Sequence, residues 1–120
     1  MRAYLAMDLA QLNTFYAQKS CSPEIIYAPT IKFLTENPEL DEEEAEYQIS
    51  MIAARNSGGY VIALELPEKD IAQHLEESIV LNVQVSWEFV EALFVYNSNE
   101  DELTWYATQE ISDYLKTAKV

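Results

Sequence analysis

Residues 41–66, DEEEAEYQISMIAARNSGGYVIALEL, contain the clearest helix and the clearest strand that the sequence predicts. Asp41 and Glu44 have the spacing of a capping box, and the acidic residues between them favour the positive end of a helix dipole. Residues 56–59, Asn-Ser-Gly-Gly, end the helix, and the apolar run 60–66 predicts a central strand. One face of the helix is apolar and should meet the core through Ala45, Ile49, Ile52 and Ala53.

The residues before this stretch predict two strands and two helices. Residues 2–7 form the first strand, and Asp8 with Gln11 has the spacing of a second capping box, at the start of a helix. A short strand follows over 24–28. Thr30 then caps a short helix that continues to about Glu36.

The residues after it complete the predicted fold. A short helix starts at Pro67 and runs to about Glu77. Alternating apolar residues predict a strand over 79–86, and the apolar run 92–96 predicts another. Asn99 and Glu102 would cap a last helix, whose apolar stripe is Leu103, Ala107, Ile111 and Tyr114. The order β-α-β-α-α-β-α-β-β-α predicts one α/β domain over 1–120, with α+β as an alternative. Its mixed sheet would have about five strands with helices packed on it.

The charge of the chain narrows the classes of partner. The 120 residues include 21 acids and 7 bases, which gives a net charge of −14. Direct binding to nucleic acid or to an anionic membrane surface is therefore disfavoured, whereas a basic protein or a cation is favoured. Alternatively, the charge only keeps the protein soluble. A lone Cys21 and the absence of an apolar run of membrane-spanning length indicate a cytoplasmic protein.

Three segments carry a resemblance to a known family. Residues 1–6, Met-Arg-Ala-Tyr-Leu-Ala, together with 41–47 and 90–95, resemble short uncharacterised actinobacterial proteins that typically begin Met-Arg-Val-Tyr-Leu-Pro. Ala6 stands where that family usually has proline. Since the family has no assigned activity, the resemblance implies one domain of bacterial origin and carries no catalytic residue.

Few residues suggest catalysis or metal binding. On the predicted helix over 67–77, Asp70, His74 and Glu77 would share one face and could hold a divalent ion, but a solvated polar face explains them better. Cys21 is more simply a small buried hydrophobe than a nucleophile. We therefore expect no cofactor, no metal and no catalytic residue, with an enzyme or metal-binding protein as the alternative.

Aromatic residues off the apolar stripes suggest a binding surface instead. Trp105 would point away from the core side of the last helix, and Tyr47, Met51 and Ala54 form a second stripe on the acidic helix. Such a helix is either sandwiched in the domain or offers one side to a partner. We expect a non-enzymatic protein-interaction module that binds a second copy of itself or a basic protein. A nucleic-acid-mimicking inhibitor is a further alternative. The predicted interaction residues are Tyr47, Met51, Trp105, Glu42 and Glu43.

Overall fold

Within residues 1–118, seven strands form one sheet in which every strand pair is antiparallel. The computed structural model describes residues 1–118. In chain order the strands of this part are β1 Arg2–Met7, β2 Ser20–Cys21, β3 Ile26–Tyr27, β4 Tyr60–Glu65, β5 Ile71–His74, β6 Ser78–Leu81, β7 Val85–Ser86, β8 Val90–Asn97 and β9 Glu102–Ala107. The large sheet has the order β5-β6-β3-β1-β4-β8-β9, and β2 pairs with β7 separately.

In the described part of the chain, four α-helices pack on the sheet, and the predicted caps of the first three are confirmed. They are α1 Leu9–Gln18, α2 Ile31–Glu36, α3 Glu42–Arg55 and α4 Ile111–Thr117. The capping boxes of Asp8 and Asp41 are both formed, because each carboxylate accepts the backbone N–H three residues later. Thr30 likewise accepts the Phe33 N–H. Within residues 1–118, no helix combines the length and the apolar character needed to cross a bilayer.

Both faces of the sheet are buried, each against a different pair of helices. On the first face, Leu5, Ile62 and Leu93 pack in one cluster with Phe15 of α1 and Ile111 of α4. On the second face, sheet residues cluster with α2 and α3, through Tyr4, Val61, Ala63, Phe33, Ile49 and Ala53. Because β4 lies inside the sheet with both faces covered, its four central residues, Val61 to Leu64, are buried. This confirms the central strand predicted from residues 60–66.

The architecture is confirmed only in its coarse form. Helices and strands do share one α/β domain, but the sheet has seven strands rather than about five, and it is antiparallel rather than mixed. The two additional strands of this sheet are β5 and β9, which replace predicted helices. Helices over an antiparallel sheet correspond to the α+β alternative.

The helix predicted over 67–77 is wrong. Only Glu68–Asp70 form a single 3₁₀ turn, and the chain then enters β5, which pairs with β6. The strand predicted over 79–86 is also divided. Its two halves, β6 and β7, belong to different sheets, and between them the Asn82 N–H donates to the Asp70 carbonyl. Pairing between distant segments thus overrides the local pattern.

The last predicted helix is wrong over its first half. Residues 102–107 form β9, which makes a hairpin with β8 and places Trp105 opposite Phe94. The α-helix begins only at Ile111, after a 3₁₀ turn over Thr108–Glu110. The spacing of Leu103 and Ala107 suits either structure, since four residues bring a side chain back to the same face of a helix or of a strand. In the strand, Leu103, Trp105 and Ala107 share that face.

Candidate edge-strand binding site

The outer edge of β9 is an open end of the sheet. No strand within residues 1–118 pairs with it. Proteins usually protect such edges with charged residues, proline or bulges, yet from Leu103 to Ala107 the strand contains none of these. The opposite edge, β5, is only four residues long and its pairing is interrupted between Ile71 and Gln73. The β9 edge is therefore the longer and more regular of the two.

Hydrogen bonds on either side of the hairpin show which backbone groups of β9 face outward. The Tyr96 N–H donates to the Gly59 carbonyl, so the backbone of Tyr96 faces β4 rather than β9. Tyr96 lies opposite Leu103, and backbone direction alternates along an antiparallel pair, so Leu103 and Trp105 point their N–H and C=O groups away from β8. The Ala107 N–H agrees with this pattern, because it donates to the side chain of Glu110 instead of to β8.

Beside this edge lies a groove on the α3 side of the sheet. Its volume is about 330 Å³, and we call it the Trp105 groove; it is lined by Arg2, Tyr4, Glu46, Ala63, Glu91, Ala92, Phe94 and Trp105. The Trp105 side chain is 59% exposed although its neighbour across the hairpin, Phe94, is half-buried. An exposed tryptophan beside unpaired backbone groups is a feature of binding surfaces.

Two alanines, Ala63 and Ala92, form the floor of the groove, and Ala107 continues their row to the open edge. Ala107, Ala92, Ala63 and Tyr4 lie in register across β9, β8, β4 and β1. Three neighbouring alanines leave the space that larger side chains would fill, and Trp105 with Phe94 forms the adjacent row. The groove therefore runs inward from the open edge.

The electrostatics of the groove are mainly acidic. Burial raises the pKa of the Glu46 carboxyl above its ordinary value; Arg2 opposes this effect, and Glu42 and Glu65 add to it. Burial also raises the pKa of the Tyr4 phenol above its ordinary value. Among the described residues that line the groove, Arg2 is the one base and Glu46 and Glu91 are the acids.

The β8–β9 turn is fixed to the end of α3. Asp101 has a left-handed backbone with φ of 53°, and its two carboxylate oxygens accept hydrogen bonds from Arg55 at 3.1 and 2.7 Å. The Tyr96 hydroxyl donates to the same carboxylate at 2.6 Å. A bidentate arginine contact of this kind has a defined geometry, so the hairpin is held in a set position relative to α3.

Replacing Asp101 with asparagine should remove part of the acid sensitivity of the fold. The hydrogen bonds from Arg55 and then Tyr96 lower the Asp101 pKa from 3.8 to about 2. A carboxylate with a lowered pKa stabilises the fold above its unfolded pKa and loses that effect as the pH falls through its folded pKa. In urea denaturation, wild type should exceed Asp101→Asn in stability at pH 6, and the difference should close between about pH 4 and pH 2.

The control is Asp113→Asn, since Asp113 is exposed and lies 3.8 Å from Lys116. The Asp113→Asn substitution should change stability little, and by a similar amount at about pH 6 and about pH 2. An Asp101→Asn difference that does not change with pH would contradict the role given to Arg55.

The chain matches a known protein family over most of its length. The model of a family described as "Family of unknown function (DUF6912)" matches residues 1–101. The chain belongs to this family. No curated protein and no solved structure shows detectable similarity to it. The DUF6912 match includes most groove residues but ends in the β8–β9 turn, before β9 itself.

Of the predicted interaction residues of this DUF6912 member, three are exposed on α3, one is buried in α3 and one lies on β9. Tyr47 is exposed on α3, and Glu42 and Glu43 are exposed in its first turn. Met51 is only 3% exposed, so the prediction that it faces a partner is wrong. Because Ala54 is buried too, the C-terminal half of the second stripe is sandwiched inside the domain. Trp105 is outward-facing as predicted, but it lies on a strand and not on a helix.

The residues of the metal candidate do not form a metal-binding cluster. Asp70 ends a 3₁₀ turn, His74 ends β5 and Glu77 lies in the following turn, so the predicted helical face does not exist. Within residues 1–118, no group of three His, Cys, Asp or Glu side chains has the geometry to hold a metal ion. His74 instead lines a separate cavity with Ile31 and Leu75.

A larger cavity, about 640 Å³, lies between α1 and the segment around Cys21. Two of its polar side chains already form hydrogen bonds within the protein. Gln11 accepts one from the Asp8 N–H, and Asn56 donates one to the Ile52 carbonyl. Burial raises the pKa of the Cys21 thiol to about 11, so little of it is the nucleophilic thiolate at neutral pH. His74 does not line this cavity. The Cys21 thiol is therefore not an activated nucleophile.

Proposed function

We propose that the domain is a non-enzymatic protein-interaction module that binds an extended segment of a partner at the outer edge of β9. The observation that carries the proposal is the coincidence of two features: outward backbone groups at Leu103 and Trp105, and the exposed Trp105 side chain between them and the groove. In this proposal the partner contacts β9 and the Trp105 groove, and not the exposed α3 residues Tyr47, Glu42 and Glu43.

The physical basis is strand addition. An extended peptide that joins a sheet edge gains main-chain hydrogen bonds for affinity, and side-chain pockets provide specificity. Leu103 and Trp105 each supply one backbone donor and one acceptor. Tryptophan is enriched among the residues that dominate interface energies, because it buries a large area with little loss of side-chain freedom.

The alternatives have weaker support. For an enzyme, the large cavity beside Cys21 is the main feature, and the nucleophile there is poorly activated. An inhibitor that mimics nucleic acid would depend on the acidic surface as a whole rather than on Trp105. The lone Cys21 supports a cytoplasmic location for this function.

The test is photo-crosslinking in cells that normally make the protein. A photoreactive phenylalanine analogue placed at position 105 should give a discrete protein adduct, whereas the same group at position 47 should not. Tyr47 is the matched control, since it is an aromatic residue of similar exposure, 61%, on α3. Untagged wild type should compete for the adduct, and untagged Trp105→Pro should not. Adducts that are absent at 105, or equal at both positions, would contradict the proposal.

A further inference from the structure

We infer that the segment bound at the β9 edge is a basic strand of another protein, and that one of its Lys or Arg side chains enters the Trp105 groove. This inference rests on the proposed function and adds the chemistry of the partner. It follows from the register of the added strand, from the charges around the groove, and from the poor fit of a second copy.

The register determines which partner side chains face the groove. Along an added antiparallel strand, the residues opposite Leu103 and Trp105 exchange backbone hydrogen bonds with them. The residues opposite Leu103, Trp105 and Ala107 all lie on the α3 side of the sheet. A long side chain opposite Ala107 would lie over the alanine floor, with the Trp105 ring on its flank.

The charges of the groove select a cation for that side chain. Glu46 and Glu91 line the groove, and Glu42, Glu43 and Glu65 act on Glu46 as further negative charges. Arg2 offsets only part of this charge. The aliphatic stem of Lys or Arg suits the alanine floor while its charged end approaches the carboxylates, and a cation is also attracted to the face of an indole ring.

A second copy of the chain would fit the backbone but not the groove. Pairing β9 with its own copy, Leu103 opposite Trp105, would use the outward groups and leave the Ala107–Glu110 hydrogen bond intact. However, β9 carries no Lys or Arg to enter the groove, and each chain has a net charge of −14. The basic strand therefore satisfies both the edge and the groove, whereas a copy satisfies only the edge.

The inference can be tested with two synthetic peptides. The lysine peptide repeats Thr-Lys four times, so an added strand places lysine on one face. The glutamate peptide repeats Thr-Glu four times. Binding is measured by calorimetry, which also applies to variants that lack Trp105, and tryptophan fluorescence provides a second measurement on the wild type. We expect micromolar to millimolar binding of the lysine peptide, at least about tenfold tighter than the glutamate peptide, weakening as salt rises from 0.05 to 0.5 M.

Variants distinguish strand addition from general attraction to an acidic protein. Trp105→Ala should weaken binding about tenfold by removing the indole. Trp105→Pro should abolish it, because proline also removes an outward N–H that the β8 ladder does not use. Glu91→Gln and Glu46→Gln should each weaken binding about threefold to tenfold. Glu24→Gln makes the same change in charge at the cavity beside Cys21 and should change binding less than about twofold.

Each other result overturns the inference in a recognisable way. Equal binding of both peptides would remove the preference for a basic strand. Equal binding by Trp105→Ala and Trp105→Pro would remove the role of the backbone edge. If neither peptide binds at 1 mM and wild type sediments as a dimer that Trp105→Pro dissociates, the partner is a second copy. In that case the inference fails and the proposed function stands; if crosslinking at position 105 is also negative, both fail.

Discussion

Replacing Phe15 with alanine is expected to lower the free energy of unfolding by about 3–5 kcal/mol. Phe15 is 1% exposed, and its ring meets that of Trp87 edge-on with centroids 4.8 Å apart. It is one of the two side chains of α1 that are fully inside the core, the other being Leu12. Removal of the ring leaves a cavity and loosens the packing of α1 on the sheet. A loss of this size approaches the total stability of many small domains.

Urea denaturation followed by circular dichroism measures this change. Tyr47→Ala is the control, since it removes an aromatic ring that is 61% exposed, and it should alter stability by less than about 0.5 kcal/mol. The two variants should retain the wild-type dependence on urea concentration if the transition stays two-state. A loss below about 1 kcal/mol for Phe15→Ala would mean that α1 is not anchored as the structure places it.

The parts of the fold that the sequence predicted correctly depend on local interactions. The capping boxes at Asp8 and Asp41 each involve residues three apart, so both partners are visible in one turn of sequence. The run 60–66 is apolar enough to require burial on both faces, which places a strand at the centre of a sheet. Neither inference needs knowledge of distant segments.

The errors occur where a pattern suits two structures. From 102 to 107 the apolar spacing fits a helix, and Asn99 with Glu102 imitates a capping box. The Thr-Trp-Tyr sequence at 104–106 is nevertheless rich in strand-forming residues, and 97–101, Asn-Ser-Asn-Glu-Asp, has the composition of a hairpin turn. These signals could have identified β9. The division of 79–86 between two sheets had no local signal, because it depends on the partners of each half.

Only part of the candidate site could be predicted from the sequence. Trp105 could be recognised as an aromatic residue that the predicted core does not use, although the predicted element was wrong. The Trp105 groove could not be predicted, since it requires Tyr4, Ala63 and Ala92 to lie on neighbouring strands. The outward direction of the Leu103 backbone depends on the register of β4 against β8, which is fixed by tertiary pairing.

The second large effect is expected at Gly58, where alanine should cost about 2–4 kcal/mol. A Cβ at position 58 would lie 2.6 Å from the Asp8 Cβ and 2.9 Å from the Asp8 Cα. The Gly58 N–H also donates to the Met7 carbonyl, so the two segments cannot separate without losing that bond. Because the atoms in the way belong largely to the backbone, relief requires moving Asp8 and weakening the α1 cap.

Gly59 makes a useful contrast, because the sequence explains both glycines in the same way, as the end of α3. Gly59 has a φ of 111° and no atom near an added Cβ, so Gly59→Ala should cost about 1–3 kcal/mol through backbone strain alone. Asp8→Gly in the Gly58→Ala background removes the 2.6 Å clash and should recover part of the loss, whereas the same change should not rescue Gly59→Ala. Two double-mutant cycles, measured by urea denaturation, give the coupling free energy of Asp8 with each glycine. Equal coupling to Gly58 and Gly59 would contradict the close approach of Gly58 to Asp8.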